Sequence, residues 1–432
     1  MAECSTSADA VKTARKLWLS AKSQSDLDEV ERLYRLALSS KSISISTEQH
    51  NDNSDDSKDG EEPKKKKIRT STAGHCGLNR QQFQQAGEKL ALLLCQSGRC
   101  KKARKGLASM GYICRLSKQV LDYPNEHDDT EGSSTTDATA TITKQRSSII
   151  CQIVDGFLSE QELKRLRTVF ESPNASYWVD HNYAVEPPSP YFSWVISLKD
   201  ISEDDSQIGF IGDLIRKILR CPLVNEKYPH LQSKANYVEL WAHNRPHASG
   251  HQMHFDSDDE GRGGVRNPLI STILYITEQD ATTNEKYEPV GGPSLVTNQK
   301  LTDIRLATKG WMSHPKPQRL VTFDGRYLHG VVPGKGVQSG RRVTLMLAFW
   351  EEIKIRQGEG PGSARLFPRH ENDMPEWARQ LATPLDEKNS NDYEACKETE
   401  PIKLDGIYET LDGKKWKRGS GLPSYDEVFQ GF

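Results

Sequence analysis

Nine residues, Arg342 to Trp350 (RVTLMLAFW), constrain this chain more than any other stretch. They are apolar at both parities, so a strand formed here is buried on both faces and needs a packed layer on each side. Further strand-patterned runs precede it at Ala235–Trp241, Gln252–Asp256, Pro268–Thr277, Gly292–Thr297, Arg319–Phe323 and Tyr327–Val332. Strands in such succession predict a β-sandwich or jelly roll.

Three short pieces inside this region carry chemistry. Successive side chains of a strand alternate faces, so His254 and Asp256, two apart, are expected to point the same way. His329, on the apolar stretch Tyr327–Val332, can add a third ligand from a neighbouring strand. Two histidines and one carboxylate on one side of a metal leave the opposite side open, which is the facial triad of non-haem Fe(II) oxygenases. An isolated His-x-Asp triplet says little; its weight comes from the ordered set. His247 and His251 read as loop histidines.

The third piece indicates what meets the open side. A guanidinium on a buried strand is costly unless an anion faces it. Its planar fork matches a carboxylate, and a hydroxyl two residues on adds another donor. Arg342 and Thr344 share one face, which favours Arg342 over Arg341 as the anchor. A dicarboxylate that chelates iron at one end and meets an arginine at the other is 2-oxoglutarate.

Residues from about Ser148 to Glu351 resemble the Fe(II)/2-oxoglutarate-dependent dioxygenases, nearest to their prolyl 4-hydroxylase-like branch. The matching pieces are Ile153–Ser159 (IVDGFLS), His254–Asp256, Leu274–Ile276, Gly291–Leu295 (GGPSL), Phe323–Gly325, His329 and Arg342. Two departures stand out: the His329-to-Arg342 gap is a few residues long, and Thr277 replaces the usual Asn. The resemblance implies a double-stranded β-helix with covering helices, and a metal held by His254, Asp256 and His329. It also implies 2-oxoglutarate on Arg342, Thr344 and Tyr275, with dioxygen as oxidant, ascorbate as a further candidate and no catalytic residue beyond the metal site. The implied reaction couples oxidation of 2-oxoglutarate to succinate and CO2 with hydroxylation of a C–H bond, in a protein or peptide of prolyl type or in a small molecule. A non-catalytic pseudo-oxygenase scaffold is the rival, and a metal-dependent isomerase or desaturase a third reading.

Composition bears on the rest of the 432 residues. The apolar fraction is 35%, about 42% with the 31 glycines, below the 45–50% of compact domains, so part of the chain is expected to lack a core. Net charge is −2, which selects neither nucleic acid nor membrane globally. The eight cysteines include no C-x-x-C pair, which suits a reducing compartment. No run approaches membrane-spanning length, so an intracellular protein, cytoplasmic or nuclear, is expected.

The expected organisation is N-terminal helices over 1–40, then a disordered linker over 41–75 ending in the basic run Pro63–Arg69 (PKKKKIR). A helical hairpin like a tetratricopeptide repeat follows over 76–123, and a low-complexity linker over 124–147 separates it from the dioxygenase domain over 148–356. A C-terminal extension spans 357–432, with Trp416 and Tyr425 as residues that could pack back on the core. The basic run resembles a nuclear import signal and equally balances the acidic residues before it. The helices offer a docking face for a protein substrate or partner, or serve dimerisation or packing; the oligomeric state stays open. Ser257–Arg266, rich in glycine, reads as either a mobile pocket rim or a solvated turn.

Overall fold

The computed structural model describes residues 6–39, 78–125, 150–182, 192–201, 208–258, 266–277, 289–356, 362–369, 374–385, 393–411 and 427–431. The basic run Pro63–Arg69, Trp416 and Tyr425 lie outside these residues, and of the expected rim only Ser257, Asp258 and Arg266 lie within them.

The strands in chain order are β1 (Cys114–Leu116), β2 (Cys151–Asp155), β3 (Phe192–Ser197), β4 (Tyr237–Pro246), β5 (His251–His254), β6 (Ile270–Tyr275), β7 (Ser294–Lys300) and β8 (Lys309–Ser313). They continue with β9 (Leu320–Phe323), β10 (Tyr327–Val331), β11 (Arg341–Trp350), β12 (Gly362–Leu366), β13 (Lys397–Thr399), β14 (Ile402–Asp405), β15 (Tyr408–Thr410) and β16 (Val428–Phe429). A major sheet runs β12-β3-β4-β11-β6-β9-β2-β13, and a minor sheet runs β14-β8-β7-β10-β5. The two face each other, giving a mainly β jelly-roll fold with covering helices.

β11 lies inside the major sheet, and the sequence explains why. Val343, Leu345, Leu347 and Phe349 enter a cluster with Leu163 and Leu166 of the helix Glu160–Phe170, Ile211, Leu214 and Ile218 of the helix Gly209–Arg220, and Trp377 of the helix Glu376–Ala382. The other parity, Met346, Ala348 and Trp350, packs with Ile273, Phe323, Val296 and Trp311 between the sheets. Both faces are thus covered, as an all-apolar strand requires. The helix Glu160–Phe170 starts where a capping box forms, Ser159 accepting from the Glu162 N–H and Glu162 accepting from the Ser159 N–H.

The minor sheet has the same need on its outer face, and this corrects the expected separation of the helical region. Met253, Leu295, Met312, Leu328 and Leu404 share a core with Leu92, Leu94 and Leu107 of the helices Arg80–Gln96 and Cys100–Ser109, and with Val30 and Leu33 of the helix Gln24–Ser39. The N-terminal helices are therefore the cover of the second sheet, because an apolar sheet face is stable only against another layer. β1 completes the join, pairing antiparallel with β15 and parallel with β16.

Several strands have no strong signature in the sequence. β8 and β3 lie in stretches that were not expected to be strands, and β4 runs on past Trp241 to Pro246 because β11 offers it a ladder of ten paired residues. Polar β13 and β14 pair at the far edges of the two sheets, with β2 and β8. At the edge of β2, Arg319, 1% exposed, grips Asp155 through Nε at 2.6 Å and Nη2 at 3.0 Å, while Lys316 and Thr399 donate to the same carboxylate. The described cysteines Cys95, Cys100, Cys114, Cys151, Cys221 and Cys396 are free thiols. Among the described residues, no helix is long and apolar enough to cross a membrane.

Candidate active site

β10 sits between β7 and β5, and in its antiparallel pairing with β5 His329 is the Cα partner of His254. β5 ends at His254, so Asp256 lies two residues beyond the strand, and the expectation that the pleat alone aligns the pair needs correcting. Hydrogen bonds aim it instead. Asn267 Nδ2 donates to the Asp256 carbonyl at 2.6 Å, and Ser271 Oγ on β6 donates to Asp256 Oδ2 at 2.6 Å.

These bonds leave Oδ1 turned toward the imidazoles. His254 Nε2 lies 3.6 Å and His329 Nε2 3.5 Å from it, and potential ligand atoms of the three residues all fall within 4.8 Å of one another. The far ring nitrogens are occupied: His254 Nδ1–H donates to the Gln252 carbonyl at 2.8 Å and His329 Nδ1–H to the Tyr327 carbonyl at 3.0 Å. A carbonyl can only accept, so in the neutral ring the proton sits on Nδ1 and the Nε2 lone pair faces the centre. Second partners of this kind are what hold metal ligands in place. Two imidazole nitrogens and one carboxylate oxygen on a common side suit a divalent transition metal.

Electrostatics agree with a cation between them. Burial opposes the Asp256 charge, and the neighbouring His329 and His254 outweigh it, holding the carboxyl well below its ordinary range. Burial likewise opposes charge on His329, and the Asp256 carboxylate outweighs it, holding the imidazole above its usual value.

His251 is not a loop residue. It opens β5, and its ring centre lies 4.6 Å from that of His254 and 4.9 Å from that of His243 on β4. Burial, then the neighbouring His254 and His243, hold it well below the ordinary histidine range. His247 lies in the turn that follows β4, as expected of a loop histidine, and is buried there: it is 7% exposed, with both ring nitrogens bonded, Nε2–H to the Lys335 carbonyl at 3.2 Å and Nδ1 accepting from the Gly291 N–H at 2.9 Å.

On the facing sheet, β11 presents Arg342 and Thr344 at the parity of Met346, toward the space between the sheets. Arg342 is 4% exposed, whereas Arg341 is half-buried and donates to the Asn244 side chain and carbonyl. Thr344 is paired across the ladder with Tyr275 and with His243. Its hydroxyl is buried with no hydrogen-bond partner among the described residues, leaving a donor for a bound oxygen. Tyr275 lies with its ring centre 5.9 Å from Arg342 Cζ, and its hydroxyl bonds Ser294 Oγ at 2.7 Å. Ser294 is on β7, two residues before Val296, the Cα partner of His329. Tyr275 thus bridges the sheet bearing Arg342 to the sheet bearing His329.

Glycine makes this arrangement possible. Gly291 has φ of +88°, and a Cβ there would stand 2.6 Å from Arg342 Cβ, so its bare backbone closes on the arginine stem. A buried guanidinium, a hydroxyl and a phenol on the sheet that faces the His-Asp-His cluster are groups that suit a carboxylate.

Glu239 was not singled out in the sequence. It lies on β4 opposite Ala348, which is also opposite Ser271, and burial pushes its carboxyl up to about 8. It accepts a hydrogen bond from Ser193 Oγ. A glutamate in a strand has no signature distinguishing it from a solvated one, so only the sheet packing reveals it.

No protein-family profile matches the chain, and no curated protein matches it. Solved structures similar to it include a Pseudomonas putida prolyl-4-hydroxylase, at 15% identity and TM-score 0.29, over 50% of this chain and 98% of that one. A Burkholderia pseudomallei oxidoreductase of the 2OG-Fe(II) oxygenase family is 12% identical with TM-score 0.26, over 54% of this chain and 97% of that one. HygX from Streptomyces hygroscopicus, solved with iron bound, is 11% identical with TM-score 0.29, over 53% of this chain and 96% of that one.

Proposed function

We propose that this chain is an Fe(II)- and 2-oxoglutarate-dependent dioxygenase that hydroxylates a C–H bond. The single observation that carries the proposal is convergence of two receptors between the sheets. His254, Asp256 and His329 aim their free donor atoms at one point, and Arg342 with Thr344 presents a buried carboxylate receptor on the opposite sheet.

In this reading His254, Asp256 and His329 would hold Fe(II). Arg342 receives the distal carboxylate of 2-oxoglutarate, Thr344 donates to the same oxygens, and Tyr275 closes that side with its ring against the guanidinium. With both bound, iron and the keto acid supply the oxidising chemistry with dioxygen, yielding succinate and CO2 alongside the hydroxylated product. The protein's part is to orient and to exclude water. Trp241, Met346 and Trp311 form apolar walls between the sheets, and Ser271, Gln252 and Tyr327 fix the ligand orientations through their hydrogen bonds.

For the substrate, we propose a protein or peptide residue of prolyl type, with a small molecule as the alternative. Any docking role of the N-terminal helices falls to their outward polar faces, since their apolar positions pack on the minor sheet. The experiment is anaerobic purification, addition of Fe(II) and 2-oxoglutarate, then air, with succinate measured. Iron-dependent succinate is expected; its absence at saturating iron and co-substrate, with or without cell extract as substrate, sinks the reading. New +16 dalton masses, sought separately on peptides and on metabolites in that extract, decide the substrate class.

A further inference from the structure

The segment Asp122–Pro124, where the N-terminal helical region ends, touches both loops that lead to the co-substrate residues. On one side it holds the turn after β10. The Lys335 N–H donates to Tyr123 Oη at 2.8 Å, and Lys335 Nζ donates to the Tyr123 carbonyl at 2.8 Å and to Asp122 Oδ1 at 3.2 Å. Gln96, at the end of its helix, adds Nε2 to the Pro333 carbonyl at 3.0 Å. On the other side, His314 Nε2–H donates to the Pro124 carbonyl at 3.0 Å, and its ring packs edge-on against Tyr123 at 5.4 Å between centres.

Each contact continues inward. The held turn presents the Lys335 carbonyl to His247 Nε2–H, while the Gly334 N–H donates to the His247 carbonyl at 2.9 Å. His247 passes the constraint on through Nδ1, which fixes the Gly291 N–H, and Gly291 is the residue whose backbone closes on the Arg342 stem. His314 follows Ser313, whose carbonyl accepts from the Tyr275 hydroxyl at 3.3 Å. Two separate routes from one segment thus end on Arg342 and on Tyr275. A turn with several glycines has little stiffness of its own, so its position is set by what grips it.

We infer that the end of the N-terminal helical region is a positioning element of the co-substrate pocket, with Tyr123 and His247 as positioning residues that hold Arg342 in place for 2-oxoglutarate. The inference rests on the proposed function. It differs from a packing role because the grip is a handful of directed hydrogen bonds, separable from the apolar cover formed by the helices.

The test uses the full chain in four forms: wild type, Tyr123→Phe, His247→Phe and Leu33→Ala. Tyr123→Phe keeps the ring and removes the acceptor for Lys335; Leu33→Ala weakens the helical cover without touching the grip. Binding of 2-oxoglutarate is measured by equilibrium dialysis against Mn(II)-loaded protein without turnover, together with Tm, KM and kcat. Tyr123→Phe and His247→Phe are expected to raise Kd and KM for 2-oxoglutarate about five- to tenfold, as loss of one buried hydrogen bond predicts, with kcat moving less than KM. Leu33→Ala is expected to lower Tm with a wild-type Kd. Wild-type Kd in both grip variants overturns the inference, and so does an equal rise in Leu33→Ala, which assigns the effect to general loosening. Failure of the wild type itself to bind 2-oxoglutarate overturns the functional reading, and this inference with it.

Discussion

His329 is the direct cross-strand partner of His254, and both Nε2 atoms lie within 3.6 Å of the same Asp256 oxygen. The relationship is built from backbone pairing plus a carbonyl on each Nδ1, which orients both rings. His254→Ala, Asp256→Ala and His329→Ala are accordingly expected to abolish iron binding and succinate production while leaving a cooperative unfolding transition. Iron content, succinate and thermal melts check this; wild-type turnover in any of the three removes that residue from the ligand set. Ser271→Ala, which frees the far Asp256 oxygen, is expected to weaken metal affinity about 10–100-fold.

The two adjacent arginines separate by parity. Arg342→Ala removes the buried guanidinium and is expected to weaken 2-oxoglutarate binding by about 2–5 kcal/mol. Arg341 is engaged with Asn244, so Arg341→Ala should change KM little. A larger KM effect from Arg341→Ala would reassign the carboxylate receptor.

Asp155 and Arg319 give an acid-sensitive contact away from the site. Burial opposes the Asp155 charge, and Arg319 followed by Lys316 outweighs it, bringing the carboxyl down to about 2 from an ordinary 3.8. Because the folded value is the lower one, this stabilisation is fully present above about pH 4 and is lost as pH falls toward 2. Asp155→Ala leaves the buried Arg319 without its carboxylate and is expected to cost about 3–5 kcal/mol at pH 7. Denaturant melts of both proteins at pH 7 and pH 2.5 check it: the difference between them should shrink at the lower pH.

Glu239 has the opposite sign. Its folded value of about 8 lies above an ordinary 4.5, so the contribution is most favourable below pH 4.5 and is lost as pH rises toward 8. Glu239→Gln, which keeps the shape without the titration, should raise Tm relative to wild type more at pH 8 than at pH 5. A pH-independent difference would show that Glu239 does not change charge in this interval.

A chain beginning at Ser147 loses the helices that cover Met253, Leu295, Met312 and Leu328. Exposed apolar sheet surface of this kind drives association, so that protein is expected to aggregate or to melt well below the full chain. A soluble, monomeric product with an unchanged melting temperature, seen by light scattering and calorimetry, would contradict the shared core.

By itself the sequence determined the strand-rich centre and the set of chemical groups within it. Arg342–Trp350 could only be a strand covered on both sides, and period-two alternation put Thr344 on the face of Arg342, because those consequences follow from local pleat and burial. Contacts between distant segments were decided only by the tertiary structure. Asp256 reaches the site through Ser271 and Asn267, not through its strand, and Tyr275 is tied to the sheet bearing His329 only because that sheet offers Ser294. The helices were legible as amphipathic, yet an apolar stripe does not say which surface it will cover. That was settled by the outer face of the minor sheet, whose own strands, such as Lys309–Ser313, carry too little local pattern to be recognised before they pair.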